Sequence, residues 1–270
     1  MKYSARSRYH RIRVEDRGGR RFLRFDNMTQ TVVDGEEGLT SVFLYIDYFH
    51  ISLALQPEAR SALLIGLGGG VLPHRMWKDY PDLQLQVVEI DPLVVEVAYR
   101  FFQLPDHPRL EVVVADGAEY IRAAAGKRQW DLILVDVYDN QRIPPECTIL
   151  PFYRAVDQCL APDGVAAFNI IGSLEGEDSW ELRTICRTLQ EVWPVVFVFA
   201  VGWNQDRDPR AKRNLMVLVS RTAFTPERLA DRIRSRGEGM VAVKGFEGFI
   251  DDLYTGPLRL QEVPVRTAAE

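Results

Sequence analysis

The stretch Ser61-Ala62-Leu63-Leu64-Ile65-Gly66-Leu67-Gly68-Gly69-Gly70-Val71-Leu72 decides the reading of the fold. Its first half is apolar without alternation, as in a strand covered on both faces of a parallel sheet. Glycines follow at once, and a helical pattern occupies residues 72–79. The same grammar repeats outward from this unit. Apolar runs recur over residues 85–90, 110–115, 131–135 and 164–168, with helical patterns over 92–102, 118–125 and 152–160 between them. Strand-helix alternation of this kind predicts βαβ units and a doubly wound, mostly parallel α/β sheet of Rossmann type. Two further apolar runs, 195–201 and 214–220, flank a polar loop over 204–213 and suit a sheet that closes with an antiparallel strand.

Upstream the pattern is different. Residues 8–15 alternate around Tyr9, Ile12 and Val14, Asp16-Arg17-Gly18-Gly19 signals a turn, and residues 21–26 and 29–33 follow as short strands. Residues 38–55 read as a helix with Val42, Tyr45, Ile46, Phe49 and Leu53 on one face. The expected organisation is an N-terminal β-module over residues 1–37 and a cofactor-binding domain over 38–270, ending in a helix and an irregular tail after Pro226.

Composition narrows the classes. A net charge of -5 argues against nucleic acid as the main partner, because phosphate backbones need basic surface. No apolar run reaches membrane-spanning length, and the first residues lack the apolar core of a secretory signal. Cys147, Cys159 and Cys186 have neither metal-ligand spacing nor an even pairing, so reduced thiols in a cytoplasmic protein are expected. His50, His74 and His107 show no ligand spacing either, and no metal is expected.

In doubly wound sheets, ligands bind at the carboxyl ends of the strands, near the point where strand order reverses. The residues just after each apolar run are therefore the candidate site. Gly66, Gly68 and Gly70 let the chain turn sharply and let a ligand approach bare backbone. The dinucleotide fingerprint wants its third glycine where Val71 stands, so this spacing suits an adenosyl sulfonium better than a nicotinamide cofactor. Glu89 follows the second run and can take both ribose hydroxyls, while Asp91 before Pro92 reads mainly as a helix cap. Asp116 and Gly117 follow the third run. They fit an adenine edge or a helix cap equally well. Asp136 and Asp139, with Tyr138 between them, follow the central run, and paired carboxylates there point to catalysis or amine binding.

Taken together, Gly66-Leu67-Gly68-Gly69-Gly70-Val71-Leu72, Val88-Glu89-Ile90-Asp91-Pro92, Asp116-Gly117 and Asp136-Val137-Tyr138-Asp139 resemble the polyamine aminopropyltransferases, the spermidine synthase family. The resemblance extends from Tyr9-His10-Arg11-Ile12 and Leu23-Arg24-Phe25-Asp26 through Tyr45-Ile46-Asp47 to Asp251-Asp252-Leu253-Tyr254. It implies an N-terminal β-domain, a methyltransferase-like catalytic domain, and a homodimer or homotetramer. It also implies that His10, Tyr45, Asp47, Tyr138 and Asp139 hold a small amine substrate. There are departures. Gly68 stands where the family carries an Asp that holds the aminopropyl ammonium of decarboxylated S-adenosylmethionine, and Asp47 stands for a Glu. The glycine loop also resembles spermidine-synthase-like methyltransferases.

Three functions are compatible with these residues. In the first, an aminopropyl group moves from decarboxylated S-adenosylmethionine to a polyamine such as putrescine. Asp136 is then the group that accepts a proton or hydrogen bond from the attacking nitrogen. In the second, a methyl group moves from intact S-adenosylmethionine. Its carboxylate would meet the glycine-loop amides, and Gly68 removes a repulsive charge. In the third, the fold is a non-catalytic module that binds a nucleotide or partner, against which the paired acids argue.

Overall fold

The computed structural model describes residues 1–34, 40–139, 142–237 and 241–269. The chain opens with β1 (Tyr3–Arg6), β2 (Arg11–Arg17), β3 (Arg20–Phe25), β4 (Met28–Asp34) and β5 (Thr40–Ser41), paired antiparallel in that order. Two short helices, α1 (Tyr45–Tyr48) and α2 (Ile51–Leu55), lead into β6 (Ser61–Ile65). Then come α3 (Val71–Asp79), β7 (Gln84–Glu89), α4 (Pro92–Phe102), β8 (Leu110–Val114), α5 (Gly117–Ala124) and β9 (Trp130–Val135). The remainder is α6 (Leu150–Cys159), β10 (Leu160–Gly172), α7 (Trp180–Leu189), β11 (Val195–Ala200), β12 (Arg213–Ser220) and α8 (Pro226–Gly237). The second sheet has the order β11-β12-β10-β9-β6-β7-β8. Its strands are parallel except β12, which runs antiparallel to both β10 and β11.

The continuous apolar runs have a simple cause. Ala62 and Leu64 of β6, with Leu132 and Leu134 of β9, enter the core on one face of the sheet. Leu63 and Ile65, with Ile133 and Val135, enter the core on the other. Side chains alternate between faces, and helices cover both, so every position must be apolar.

Sequence reasoning missed some elements. The first sheet has five strands, not about three. β1 was overlooked because Ser7 closes a turn that makes it a hairpin arm. The Ser7 hydroxyl accepts from the amides of Tyr9 (3.1 Å) and His10 (3.0 Å), so β2 starts only at Arg11. The helix expected over 38–55 is two short pieces preceded by β5. The Ser41 hydroxyl accepts from the Phe43 amide (3.0 Å) in a turn, and Val42 stays exposed. Where α1 meets α2, the amides of His50, Ser52 and Leu53 bond three residues back, to Asp47, Phe49 and His50, a tighter winding than the α-helix. The N-terminal part of that expected helix, and the expected domain boundary at 37/38, lie outside the described residues. α7 was also overlooked. The tail after α8, expected to be irregular, contains two 3-10 turns of helix, Phe246–Asp252 and Leu260–Glu262, and is anchored: the Tyr254 amide donates to the Val198 carbonyl at 2.8 Å in β11. Among the described residues, no helix is long and apolar enough to cross a membrane.

The chain passes outward from β6 through β7 and β8, then returns to β9 on the other side of β6. Strand order therefore reverses between β6 and β9, where Gly66 and Asp136 stand. Gly66 has φ +95°, and a Cβ there would lie 2.1 Å from the Asp136 carbonyl oxygen. Gly66→Ala should lower the unfolding free energy by about 2 kcal/mol or more, through strain and a backbone clash. Urea denaturation checks this, and an unchanged midpoint would mean that the two strand ends can part without cost.

Candidate functional site

A cavity of about 860 Å³ opens at the carboxyl ends of β6, β7 and β9, and the N-terminal sheet forms its opposite wall. Its floor is Gly66–Gly69 of the glycine loop; Gly70, expected there, faces Leu104 and Ala98 instead. Gly66, Gly68 and Gly70 all have left-handed backbones, with φ of +95°, +54° and +76°. The loop is clamped from across the cavity, because the Thr31 hydroxyl on β4 accepts from the Gly69 amide at 2.9 Å. A Cβ on Gly69 would meet Thr31 at 2.8 Å, so the glycine permits the close approach of the two sheets.

Glu89 ends β7 and lines the cavity. Its two oxygens accept from the backbone amides of Leu67 (2.9 Å) and Asp91 (3.0 Å), which fixes the carboxylate between loop and strand. Each oxygen keeps a lone pair for a ligand hydroxyl. Burial raises the Glu89 pKa above the usual carboxylate value, and the backbone donors oppose that shift. Asp91 caps α4 by accepting from the Leu93 amide at 2.9 Å, as its place before Pro92 predicts, and it also accepts from the Ser7 hydroxyl. Asp116 caps α5, accepting from the Glu119 amide at 3.0 Å, and it lines the cavity as well. Its two readings are thus compatible. A Cβ on Gly117 would come within 2.3 Å of Ile65, so the wall there must stay bare.

Asp136 lies just beyond β9 and is held by two side-chain donors. Tyr45 on α1 donates its hydroxyl to Oδ2 at 3.1 Å, and Asn169 on β10 donates its amide to Oδ1 at 2.9 Å. Burial raises the Asp136 pKa, and these two donors pull it back by favouring the anion. Burial and the neighbouring Asp136 push both Tyr45 and Tyr138 far above the ordinary phenol value, so both remain donors.

The other expected substrate residues divide. Tyr138 lines the cavity and donates to the Asn169 carbonyl at 3.2 Å. Asp139 lines it at the exposed rim, where its backbone pairs with Arg142. His10 lines it from the N-terminal sheet, stacked on Phe25 with ring centroids 4.9 Å apart. Asp47 is a correction. It does not line the cavity; it forms an ion pair with Arg75 on α3. A helix turns 100° per residue, so Tyr45 and Asp47, two positions apart, point in different directions. The pair holds α1 against α3, and thereby holds Tyr45 over Asp136.

Sequence reasoning overlooked Thr31, Asn169 and Asn214. Asn169 had a signal, a buried amide inside an apolar run. Thr31 and Asn214 had none, since a threonine in a strand and an asparagine at a strand start are commonplace.

Residues 45–201 match the family model described as the spermine/spermidine synthase domain. The chain belongs to this family. A polyamine aminopropyltransferase of Vibrio vulnificus is 33% identical over 130 residues, covering 47% of this chain and 44% of that protein. The eEF1A lysine and N-terminal methyltransferase of Homo sapiens is 32% identical over 147 residues, covering 50% of this chain and 20% of that protein. The matched segments thus span less than half the length of either relative. A solved spermidine synthase in complex with the transition-state analogue AdoDATO shares the fold, with a TM-score of 0.72 at 21% identity over 94% of this chain and 84% of that one. The family match runs from Tyr45 at the start of α1 to Val201, just past β11.

Tyr45→Phe should reveal how Asp136 is kept charged. Removing a donor raises the pKa of the folded state further. Above the pKa of the variant, the lost bond to a buried anion should cost about 1.5–3 kcal/mol of stability. The difference should shrink as pH falls through the window between the raised wild-type pKa and the still higher variant pKa, because both proteins then carry a protonated Asp136. Thermal or urea melts across pH check this, and a pH-independent difference would show that Tyr45 does not select the anion.

Proposed function

We propose that this protein transfers an aminopropyl group from decarboxylated S-adenosylmethionine to a small amine of the putrescine class. The observation that carries this reading is Asp136, a half-buried carboxylate with two donors, in the same cavity as Gly66, Gly68, Gly69 and Glu89. The residues fit an adenosyl sulfonium: a bare glycine loop, a fixed carboxylate with free lone pairs, and a wall without a side chain at Gly117. Glu89 would hold the ribose diol, Asp116 the adenine amino edge, and the Gly66–Gly69 backbone the chain beyond the sulfur. When bound, that group supplies an electrophilic carbon next to a sulfonium, and a thioether leaves with the electron pair of the broken carbon–sulfur bond.

The protein's own residues do the rest. An aliphatic amine is protonated near neutral pH, with a pKa close to that of lysine. Asp136, held anionic by Tyr45 and Asn169, accepts the proton of the attacking nitrogen, directly or as a strong hydrogen bond. Tyr138, Asp139 and His10 hold the remainder of the acceptor, so that the nitrogen stands in line with the bond to be broken. Asp47 supports this only at a distance, through Arg75 and α1.

One observation favours a second reading, methyl transfer from intact S-adenosylmethionine. Position 68 carries no carboxylate, and its backbone is left-handed at φ +54°. An intact cofactor brings its own carboxylate to that loop, where an acidic side chain would repel it.

Calorimetry with both cofactor forms, followed by product analysis with putrescine, separates the readings. Methylthioadenosine from the decarboxylated form supports aminopropyl transfer. Binding of the intact form alone, with S-adenosylhomocysteine as product, would replace that reading with methyl transfer. In either case Asp136→Asn should slow turnover roughly 100-fold or more while cofactor affinity changes little. Glu89→Ala should do the opposite, weakening cofactor affinity by at least about tenfold, about 1.4 kcal/mol. Unchanged affinity for both cofactor forms would remove Glu89 from the ribose site.

A further inference from the structure

Three neighbouring strands of the second sheet deliver one polar side chain each to a single line. β9 pairs with β10 in parallel, with Phe168 opposite Val135, so Asn169 is the next position beside Asp136. β10 pairs with β12 antiparallel, with Ile171 opposite Asn214 and Asn169 opposite Met216. Asn169 and Ile171 share a face, so Asn214 is the diagonal neighbour of Asn169 on that face. The contacts follow this register: Asn214 donates its amide to Asn169 Oδ1 at 3.0 Å, and Asn169 donates its own to Asp136 Oδ1 at 2.9 Å. Asn169 is 3% exposed, and both asparagines line the cavity.

We propose that Asn214 and Asn169 form a two-amide relay that orients the Asp136 carboxylate toward the incoming nucleophile, which makes them positioning residues of the reaction. Its catalytic meaning rests on the proposed role of Asp136 as acceptor; its geometry does not. An amide has a donor end and an acceptor end. An ionised carboxylate only accepts, so it favours the NH2 end of Asn169, and a donor on the other end of the amide reinforces that choice. With Asn214 donating to Oδ1, the oxygen of Asn169 is committed, and its NH2 must face Asp136. If Asn169 were turned over, its oxygen would face the carboxylate, and its NH2 would face the NH2 of Asn214. Two mismatched buried contacts would then replace two hydrogen bonds. Asn214 thus acts on Asp136 without touching it.

The titratable groups that hydrogen-bond or adjoin Asp136 are Tyr45 from α1 and Tyr138 from its own loop. Farther around the cavity stand Glu89 from β7, His10 from the N-terminal sheet, and Asp139 and Arg142 at the rim. None of these is altered when Asn214 or Asn169 becomes leucine, so a change in Asp136 titration isolates the relay.

The test is a carboxyl-carbon NMR titration of the aspartate-labelled protein, with the Asp136 signal assigned by its loss in Asp136→Asn. Asn169→Leu should raise the apparent pKa of Asp136 by on the order of one unit, as loss of a donor to the charged form does. Asn214→Leu should raise it by a smaller amount. Added to Asn169→Leu, Asn214→Leu should change nothing further, because its only route to Asp136 is gone. If leucine at 214 prevents folding, Asn214→Ala removes the same donor. The proposal is overturned if Asn214→Leu leaves the titration unmoved, or moves it equally with and without Asn169. It is equally overturned if Asp136 titrates alike in all variants. The titration needs no turnover: shifts in a protein that transfers nothing would keep the relay and remove the transferase reading. Transfer activity with unshifted titrations would do the reverse. In an active enzyme, the acid limb of the rate profile should move with the NMR value.

Discussion

A missing side chain and a carbonyl hold the site together. The Asp136 carbonyl oxygen occupies the place a Cβ on residue 66 would take. That contact follows from ladders that continue past the strand ends: the Gly66 amide donates to the Val88 carbonyl, and the Asp136 amide to the Ile65 carbonyl, both at 2.9 Å. The two loops therefore leave the sheet in register, with no room between them. Once the loops start from fixed points, Glu89 can accept from the Leu67 amide, and Asp136 can meet donors from α1 and β10. The glycine loop thus serves the sheet before it serves any ligand. The sheet alone requires a glycine at position 66.

The second constraint is electrostatic. Burial disfavours the charged form of Asp136, and the fixed donors Asn169 and Tyr45 oppose that effect. Those donors need support of their own. α1, which carries Tyr45, is only four residues long and could not hold a position alone. It is pinned on one side by the Asp47–Arg75 ion pair to α3, and on the other by the Tyr48 hydroxyl donating to Asp252 in the C-terminal tail. Asp252 is 2% exposed and also accepts from the Asn204 amide. Residues distant in sequence from Asp136 thus decide where one of its two side-chain donors stands.

Legibility in the sequence follows the range of the interactions involved. The parallel sheet was legible because each strand is buried on both faces, which writes itself as an unbroken apolar run. The strand-end residues Gly66, Glu89, Asp116 and Asp136 were legible because the fold class says where to look. Asp47 misled because its neighbour Tyr45 does reach the cavity. Nothing local says that two residues further on the helix faces Arg75. The number of N-terminal strands and the break between α1 and α2 depended on single side-chain-to-backbone bonds, at Ser7 and Ser41, which composition does not announce. Thr31 and Asn214 act across sheets or across strands, and such contacts leave no trace in spacing.

The antiparallel strand β12 has a consequence beyond closing the sheet. The parallel strands β6, β7, β9 and β10 present their carboxyl ends to the cavity. An antiparallel strand presents its beginning instead. Asn214 lies near the start of β12 and reaches the same level as Asn169, which lies within β10. The side chain therefore sits within a regular ladder, flanked by backbone hydrogen bonds, and not on a loop. A residue placed in this way has little freedom, which suits a group that must hold an amide in one of two orientations. The loops after β6 and β9 bring Gly66, Gly68, Gly69 and Asp136 to the cavity, while the neighbouring antiparallel ladder supplies the rigid end of the chain of hydrogen bonds that reaches Asp136.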